Sequence, residues 1–190
     1  MIGFSSQVTW YAARGSGVVS LLLLTISLVL GIPTLLSWGT PRTPRLVVQL
    51  LHRNVSLLIM VFLAIHIASS VLDDFVHIRL IEAFVPFIGS YRPFWLGLGA
   101  VAMDLLLALI ITSLLRRYIG VRAWRLVHWA AYACWPIGML HGLKIGTDSR
   151  FGWMLAIDAL CAAAVLAAVA WRLAVVGRAR AGLSMSRATS

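Results

Sequence analysis

The chain of 190 residues is strongly apolar: 61% of its residues are hydrophobic and only 12% are charged. Soluble domains carry about twice that share of charged residues, so this composition excludes one and predicts a membrane protein. The formal charge of +10 does not indicate a nucleic-acid partner, because the arginines lie between apolar runs instead of forming one basic face. The runs lack the alternation of a membrane β-barrel, which predicts an all-α helix bundle.

Five apolar runs are long enough to cross a bilayer as helices of about 20 residues. Pro41 and Pro44 mark the turn after the first run, and Asp73 and Asp74 open a longer connection after the second. Within that connection, Val76–Phe84 is predicted to lie as a short helix at the membrane surface. The five transmembrane spans are predicted at about Trp10–Leu36, Leu46–Leu72, Phe94–Leu115, Val121–Gly146 and Phe151–Val175.

The placement of cationic residues predicts the orientation of the bundle. Eleven arginines follow the first, third and fifth spans, whereas the opposite side carries five cations. The positive-inside rule then places the N-terminus outside and the C-terminus in the cytoplasm, as expected for a multi-pass protein of the cytoplasmic (inner) membrane. Residues 1–9 form an N-terminal segment, residues 10–177 the membrane domain, and residues 178–190 a basic cytoplasmic tail whose composition predicts disorder.

Four histidines lie inside two of the predicted spans. His52 and His66 are fourteen residues apart in the second span, and His128 and His141 are thirteen apart in the fourth. Ionisable groups at this depth are expensive and by default functional. Each pair is separated by roughly 20 Å along its helix. If the two spans run parallel, His52 is level with His128 and His66 with His141, which predicts two bis-imidazole sites that fit haem best.

One of these spacings conflicts with a straight helix. At about 100° per residue, fourteen residues bring His66 within roughly 40° of the face of His52. Thirteen residues instead turn His141 about 140° away from His128. Pro136 lies between the last two histidines and removes a backbone hydrogen bond, so a bend or a change of winding is expected there.

The pattern His-x13-His on one helix and His-x12-His two helices later resembles the ferric reductase-like transmembrane domain family. This family includes ferric reductases, NADPH oxidases and the haem-binding membrane subunit of bacterial methionine-sulfoxide reductase systems. Three segments are similar to its bacterial branch, and the resemblance extends over about residues 8–175. These segments are Trp-Tyr-Ala-Ala-Arg-Gly-Ser-Gly at 10–17, Tyr-Arg-Pro at 91–93, and Ala-Trp-Arg-Leu-Val-His-Trp-Ala-Ala-Tyr at 123–132.

The resemblance implies two haem b groups, with His52 and His128 holding the iron of the inner, cytoplasmic-side haem and His66 and His141 that of the outer haem. The chain departs from the oxidases and eukaryotic reductases, because no glycine-rich nucleotide fingerprint follows a strand. An electron source within this chain is therefore not expected. By resemblance, the donor is a separate cytosolic flavin reductase or membrane quinol, and the acceptor an extracytoplasmic reductase or ferric iron.

Four arginines stand at levels suited to the haem propionates, because Arg is the natural partner of a carboxylate near the interface. Arg14 and Arg92 lie on the outer side, and Arg53 and Arg125 on the inner side. Topology and interfacial anchoring would also account for them. Arg14 is the strongest candidate of the four, because it lies on a helix and not in a turn.

Other polar and aromatic residues inside the spans have two interpretations each. Asp104 and Asp158 either carry protons beside a quinone, a further candidate cofactor, or bond a histidine N–H. The tryptophans either wall a haem or serve packing and anchoring, and the cysteines are interpreted as small packing residues. The tryptophans are Trp124, Trp129 and Trp135, and the cysteines are Cys134 and Cys161.

These observations favour a five-helix, di-haem b protein that relays electrons across the membrane as a subunit of an oxidoreductase system. Bis-His ligation leaves no open iron position, which disfavours oxygen binding at the metal. Two alternatives stay open: a self-sufficient ferric or oxygen reductase, and a non-haem metal transporter or assembly subunit whose histidines bind ions. The expected surroundings are membrane lipid, with no nucleic acid.

Overall fold

Six α-helices and one short 3-10 helix make up the described part of the chain, in which no strand occurs. The structure, a computed structural model, describes residues 2–35, 44–74, 76–146 and 152–188, with side chains over 7–34, 44–74, 76–146 and 152–179. The predicted turn at Pro41, together with Asp148 and Arg150, lies outside these ranges. The helices are α1 (Ile2–Leu35), α2 (Arg45–Val71), α3 (Pro93–Leu114), α4 (Arg116–His128), α5 (Ala131–Ile145) and α6 (Gly152–Ala188).

Four of these helices are long and apolar enough to cross a membrane: α1, α2, α3 and α6. Their most apolar stretches have mean hydropathies between 2.0 and 2.3. They correspond to the first, second, third and fifth predicted spans, so the prediction of an all-α membrane bundle is confirmed. The orientation of the bundle stays a prediction from the distribution of arginines.

The fourth predicted span is divided into α4 and α5. Between them, the N–H groups of Ala130 and Ala133 donate to the carbonyls three residues earlier, at 2.9 and 3.0 Å. Each residue in this 3-10 winding turns about 120° instead of about 100°. The tighter winding rotates His141 toward the face of His128, which is the direction that the thirteen-residue spacing requires. The expected change of winding is therefore present, but it lies at residues 127–133 and not at Pro136, which falls inside α5.

The ends of several elements differ from the predictions. Segment 178–188, predicted to be disordered, continues α6 as helix to Ala188. The predicted surface helix at Val76–Phe84 is reduced to a 3-10 helix at Leu80–Ala83. Glu82 in this helix is buried and accepts a hydrogen bond from Nε of Arg79 at 2.7 Å. The contact pairs the buried carboxylate of Glu82 with an Arg79 side chain that is 66% exposed.

The bundle consists of two closely packed helix groups, α1 with α2 and α3 with α4 and α5, and α6 packs on α1. An apolar layer lies halfway between the two levels of histidines and includes Ile59, Leu106 and Cys134. A second cluster joins Trp135 to Cys161 near α6. Both cysteines are buried and free, which confirms their interpretation as packing residues. Trp135 likewise belongs to the packed interior.

The hydrogen bond between Trp135 and Thr25 joins α5 to α1 inside the bundle, at 2.8 Å. Thr25→Val leaves the buried indole N–H without an acceptor, and we expect it to lower the stability of the detergent-solubilised protein by about 1 kcal/mol. The measurement is thermal denaturation of both variants and the wild type. Thr34→Val is the matched control, because Thr34 donates within its own helix to Leu30. Equal losses in the two variants would show that the bond between the helices contributes nothing.

Candidate haem-binding site

The four intramembrane histidines meet in two pairs. The ring centroids of His52 and His128 are 6.3 Å apart, and the ring planes cross at 73°. Those of His66 and His141 are 6.4 Å apart, with planes at 88°. The structure thus brings together the pairs that the spacings predict. Because His52 meets His128 and His66 meets His141, α2 runs parallel to the α4–α5 segment. His77 lies outside the spans and is exposed.

These separations fit two imidazoles that bind one metal ion from opposite sides. With each nitrogen about 2 Å from the metal and each centroid about 1 Å behind its nitrogen, opposed imidazoles have centroids about 6 Å apart. Two planes that share the ligand axis are free to cross at any angle, so the observed crossing angles are compatible. Haem supplies the other ligands from its own ring, so this donor set fits it.

Three of the four imidazoles are oriented by a backbone carbonyl. A carbonyl only accepts hydrogen bonds, so each bonded Nδ1 carries the proton and donates it. This tautomer leaves the lone pair of Nε2 for a metal, and the bond makes the imidazole a better ligand. The Nδ1–O distances are 2.8 Å from His52 to Ser27, 2.7 Å from His66 to Ala13, and 2.8 Å from His141 to Trp95.

Each of these carbonyls is followed, four residues later, by a glycine. Residues i and i+4 lie on one face of a helix, so a side chain at i+4 would stand where the imidazole approaches the carbonyl. A Cβ added at Gly99 would lie 2.5 Å from Cε1 of His141. We call such a carbonyl with its glycine a histidine seat. The three seats are Ala13 with Gly17, Ser27 with Gly31, and Trp95 with Gly99.

These glycines carry no site role in the sequence-based prediction. Gly17 belongs only to a segment similar to the family, and Gly31 lies within the first predicted span, which α1 covers as far as Leu35. A signal is nevertheless present in the sequence. Gly17 and Gly31 are fourteen residues apart, which is also the spacing of His52 and His66. Equal spacings on two helices indicate that they face each other at two levels.

His128 differs from the other three histidines. Its Nδ1 is buried and has no hydrogen-bond partner among the residues that the structure describes. The ring stacks on Trp124 instead, with centroids 4.7 Å apart and planes at 29°. The guanidinium of Arg116 lies 4.3 Å from the centroid of Trp124. Trp124, one of the three tryptophans predicted to wall a haem, therefore contacts the ring of a candidate ligand.

The predicted propionate partners occupy different surroundings. Arg14 is half-buried beside Ala13, and its guanidinium lies 3.7 Å from the ring centroid of Trp10. Arg92 donates to the carbonyl of Lys144 at 2.7 Å. The two inner residues, Arg53 and Arg125, are exposed near His52 and His128 in sequence. Their role toward a haem stays a prediction.

The two carboxylates inside the spans are not the partners of the oriented histidines. The hypothesis that Asp104 or Asp158 bonds a histidine N–H is wrong for His52, His66 and His141, because backbone carbonyls fill that role. Asp104 is half-buried. Asp158 is only 3% exposed, and its Oδ2 has no hydrogen-bond partner in the described part of the chain.

Comparison with known proteins identifies the family. A family model described as ferric reductase like transmembrane component matches residues 16–139, which is more than half of the chain. No curated protein and no solved structure matches the chain. The matched range includes three of the four histidines and ends two residues before His141, whose assignment therefore rests on its geometry with His66. The chain belongs to the ferric reductase-like transmembrane component family.

Proposed function

We propose that this protein holds two haem b groups, one per histidine pair, and relays single electrons between the two faces of the membrane. Family membership indicates a membrane electron-transfer role. The observation that carries the finer proposal is the pair of imidazole–imidazole separations, 6.3 and 6.4 Å, each suited to one iron. The two levels are about 20 Å apart along α2, which distributes them across the hydrocarbon core.

When bound, haem supplies one-electron chemistry at its iron. The residues of the chain bind and orient it. His52 and His128 would hold one haem, and His66 and His141 would hold the other. The seats hold three of the imidazoles in the tautomer that presents Nε2. The apolar layer around Ile59 separates the two levels and excludes water between them.

The partners of the proposed relay follow from its position. The arginine distribution supports a site in the cytoplasmic membrane, with the pair formed by His52 and His128 nearer the cytoplasm. A cytosolic flavin reductase or membrane quinol would supply electrons there. An extracytoplasmic reductase or ferric iron would take them up beside His66 and His141. The buried carboxyl of Asp158 is a candidate proton carrier where a quinone is the donor.

The alternative of a non-haem metal transporter fits the site less well. A bare transition-metal ion takes about four protein or water ligands. Within the described ranges, no group of three or more His, Cys, Asp or Glu side chains is placed to hold an ion. Two facing imidazoles suit a cofactor that brings its own equatorial donors. The second alternative is a self-sufficient ferric or oxygen reductase. Steady reduction of a ferric chelate without any partner protein would favour it over the relay.

Transmembrane electron transfer is tested with the purified protein in liposomes that contain trapped ferricyanide. Dithionite is added outside, and the loss of ferricyanide absorbance is followed. We expect reduction well above the rate in protein-free liposomes. His66→Ala, which lacks one ligand of the outer pair, is expected to slow it at least tenfold. Reduction of the haem without any ferricyanide loss above that background would contradict a relay across the membrane.

A further inference from the structure

The two seats on α1 repeat at the fourteen-residue spacing of the histidines on α2. On α1, the two seat carbonyls, Ala13 and Ser27, are fourteen residues apart, as are the two seat glycines. On α3, the carbonyl of Trp95 and Gly99 form the outer seat. Fourteen residues further along α3 lie Leu109 and Ser113, at the level of His128. A fourth seat is therefore expected there, but serine stands in the place of its glycine.

Ser113 fills this fourth seat. Its hydroxyl donates to the carbonyl of Leu109 at 2.6 Å and accepts a hydrogen bond from Nε1 of Trp124 at 3.1 Å. Trp124 in turn stacks on the ring of His128. The chain of contacts confirms that Ser113 belongs to the surroundings of His128. The side chain of Ser113 thus stands where His128 would approach this carbonyl, and Nδ1 of His128 has no partner among the described residues.

We propose that Ser113 is a positioning residue which, through Leu109 and Trp124, keeps His128 off the α3 backbone and so makes the two haem sites unequal. The inference rests on the proposed binding of haem. The outer site then has two imidazoles that donate to carbonyls, whereas the inner site has one. All four proposed ligands are histidines, so the hydrogen bond that His128 lacks is the difference between the two sites on which the proposal rests.

The missing hydrogen bond also predicts which of the two sites has the higher reduction potential. Donation of the Nδ1 proton to a carbonyl makes an imidazole more basic, and a more basic ligand stabilises the more highly charged, oxidised iron. A ligand without this bond stabilises it less. The inner site, which contains His128, is therefore expected to have the higher reduction potential of the two. An electron that arrives at the inner site is held there more strongly than at the outer site.

The test is Ser113→Gly in the full-length protein, which empties the fourth seat and opens the carbonyl of Leu109 to His128. Ser113 lies in the last turn of α3, so glycine disturbs the helix little. The potentials of both haems are measured by optical redox titration of the purified protein. The same titration of His66→Ala protein, with and without Ser113→Gly, identifies the inner component. We expect the inner potential to fall toward the outer one, while the outer potential stays unchanged.

Two variants separate the seat from other effects of the substitution. Ser113→Ala removes the hydroxyl but keeps a Cβ in the seat, so a smaller shift is expected. Thr34→Ala removes a hydroxyl that donates within α1 to the carbonyl of Leu30 and does not contact Leu109, so no shift is expected. An inner potential that is unchanged or raised in Ser113→Gly would overturn the proposal. So would an equal shift in either control, or loss of the inner haem from Ser113→Gly. Absence of haem from the wild-type protein would instead overturn the proposed function.

Discussion

We expect the replacement of His66 by alanine to remove the proposed outer haem, and with it about half of the haem bound per chain. His66 and His141 face each other with ring centroids 6.4 Å apart, and Nδ1 of His66 is bonded to Ala13. The variant would leave only His141 to hold a haem at this level, and it does not change His52 or His128. Haem is counted against protein after purification in detergent, with reduced-minus-oxidised spectra of the remaining component.

His77→Ala is the matched control for this experiment. His77 is exposed in the connection between α2 and α3, so its replacement is expected to leave haem content unchanged. Loss of all haem from His66→Ala would show that the two sites are not independent. Full retention of haem in His66→Ala, or a loss equal to that in His77→Ala, would remove His66 from the ligand set.

Replacing Gly99 by alanine is expected to empty the outer site almost as completely. The added Cβ would lie 2.5 Å from Cε1 and 2.6 Å from Nδ1 of His141, closer than van der Waals contact permits. The conflict is with a ring held against the backbone of α3 by its bond to Trp95. His141 must therefore leave its seat, and the opposed geometry with His66 is lost. Haem content per chain and the spectrum of the residual haem measure the effect.

Alanine at the other glycines is expected to have smaller effects, because the added Cβ would lie farther from the imidazole. A Cβ at Gly17 would lie 3.1 Å from His66, so partial loss of the outer haem is expected; at Gly31 it would lie 3.4 Å from His52, an ordinary contact. Gly142→Ala is the control beside His141, because an added Cβ meets nothing within 4 Å. Equal haem loss in Gly31→Ala and Gly99→Ala would contradict the steric argument, as would any substantial loss in Gly142→Ala.

The sequence predicts the helices and the histidine pairing because both depend on local periodicity. An apolar run of about 20 residues has one stable form in a bilayer, and a fixed rise per residue puts equally spaced side chains at equal levels. The conflict at His141 is also readable from the thirteen-residue spacing, but the winding changes at residues 127–133 and not at Pro136, which lies inside α5. The amount of 3-10 winding between His128 and Ala133 is set by packing and is not readable from the sequence.

The seats and the exception at Ser113 depend on contacts between helices that lie far apart in sequence. Gly99 and His141 are separated by forty-two residues, and no periodicity within α3 identifies the residue that the imidazole approaches. The pattern of side chains gives no sign of the carbonyls of Ala13, Ser27 and Trp95, so the sequence points instead to carboxylates as histidine partners. Helix ends are also poorly predicted from the sequence. The composition of segment 178–188 predicts disorder, but its backbone continues α6.

The visible spectrum of the detergent-purified protein, oxidised and dithionite-reduced, with haem counted per chain, tests the central claim most directly. Two bis-imidazole pairs predict sharp reduced bands of low-spin b-type haem at about two haems per chain. Protein that binds no haem after expression with ample haem supply would contradict the account, and the paired histidines would then need another ligand.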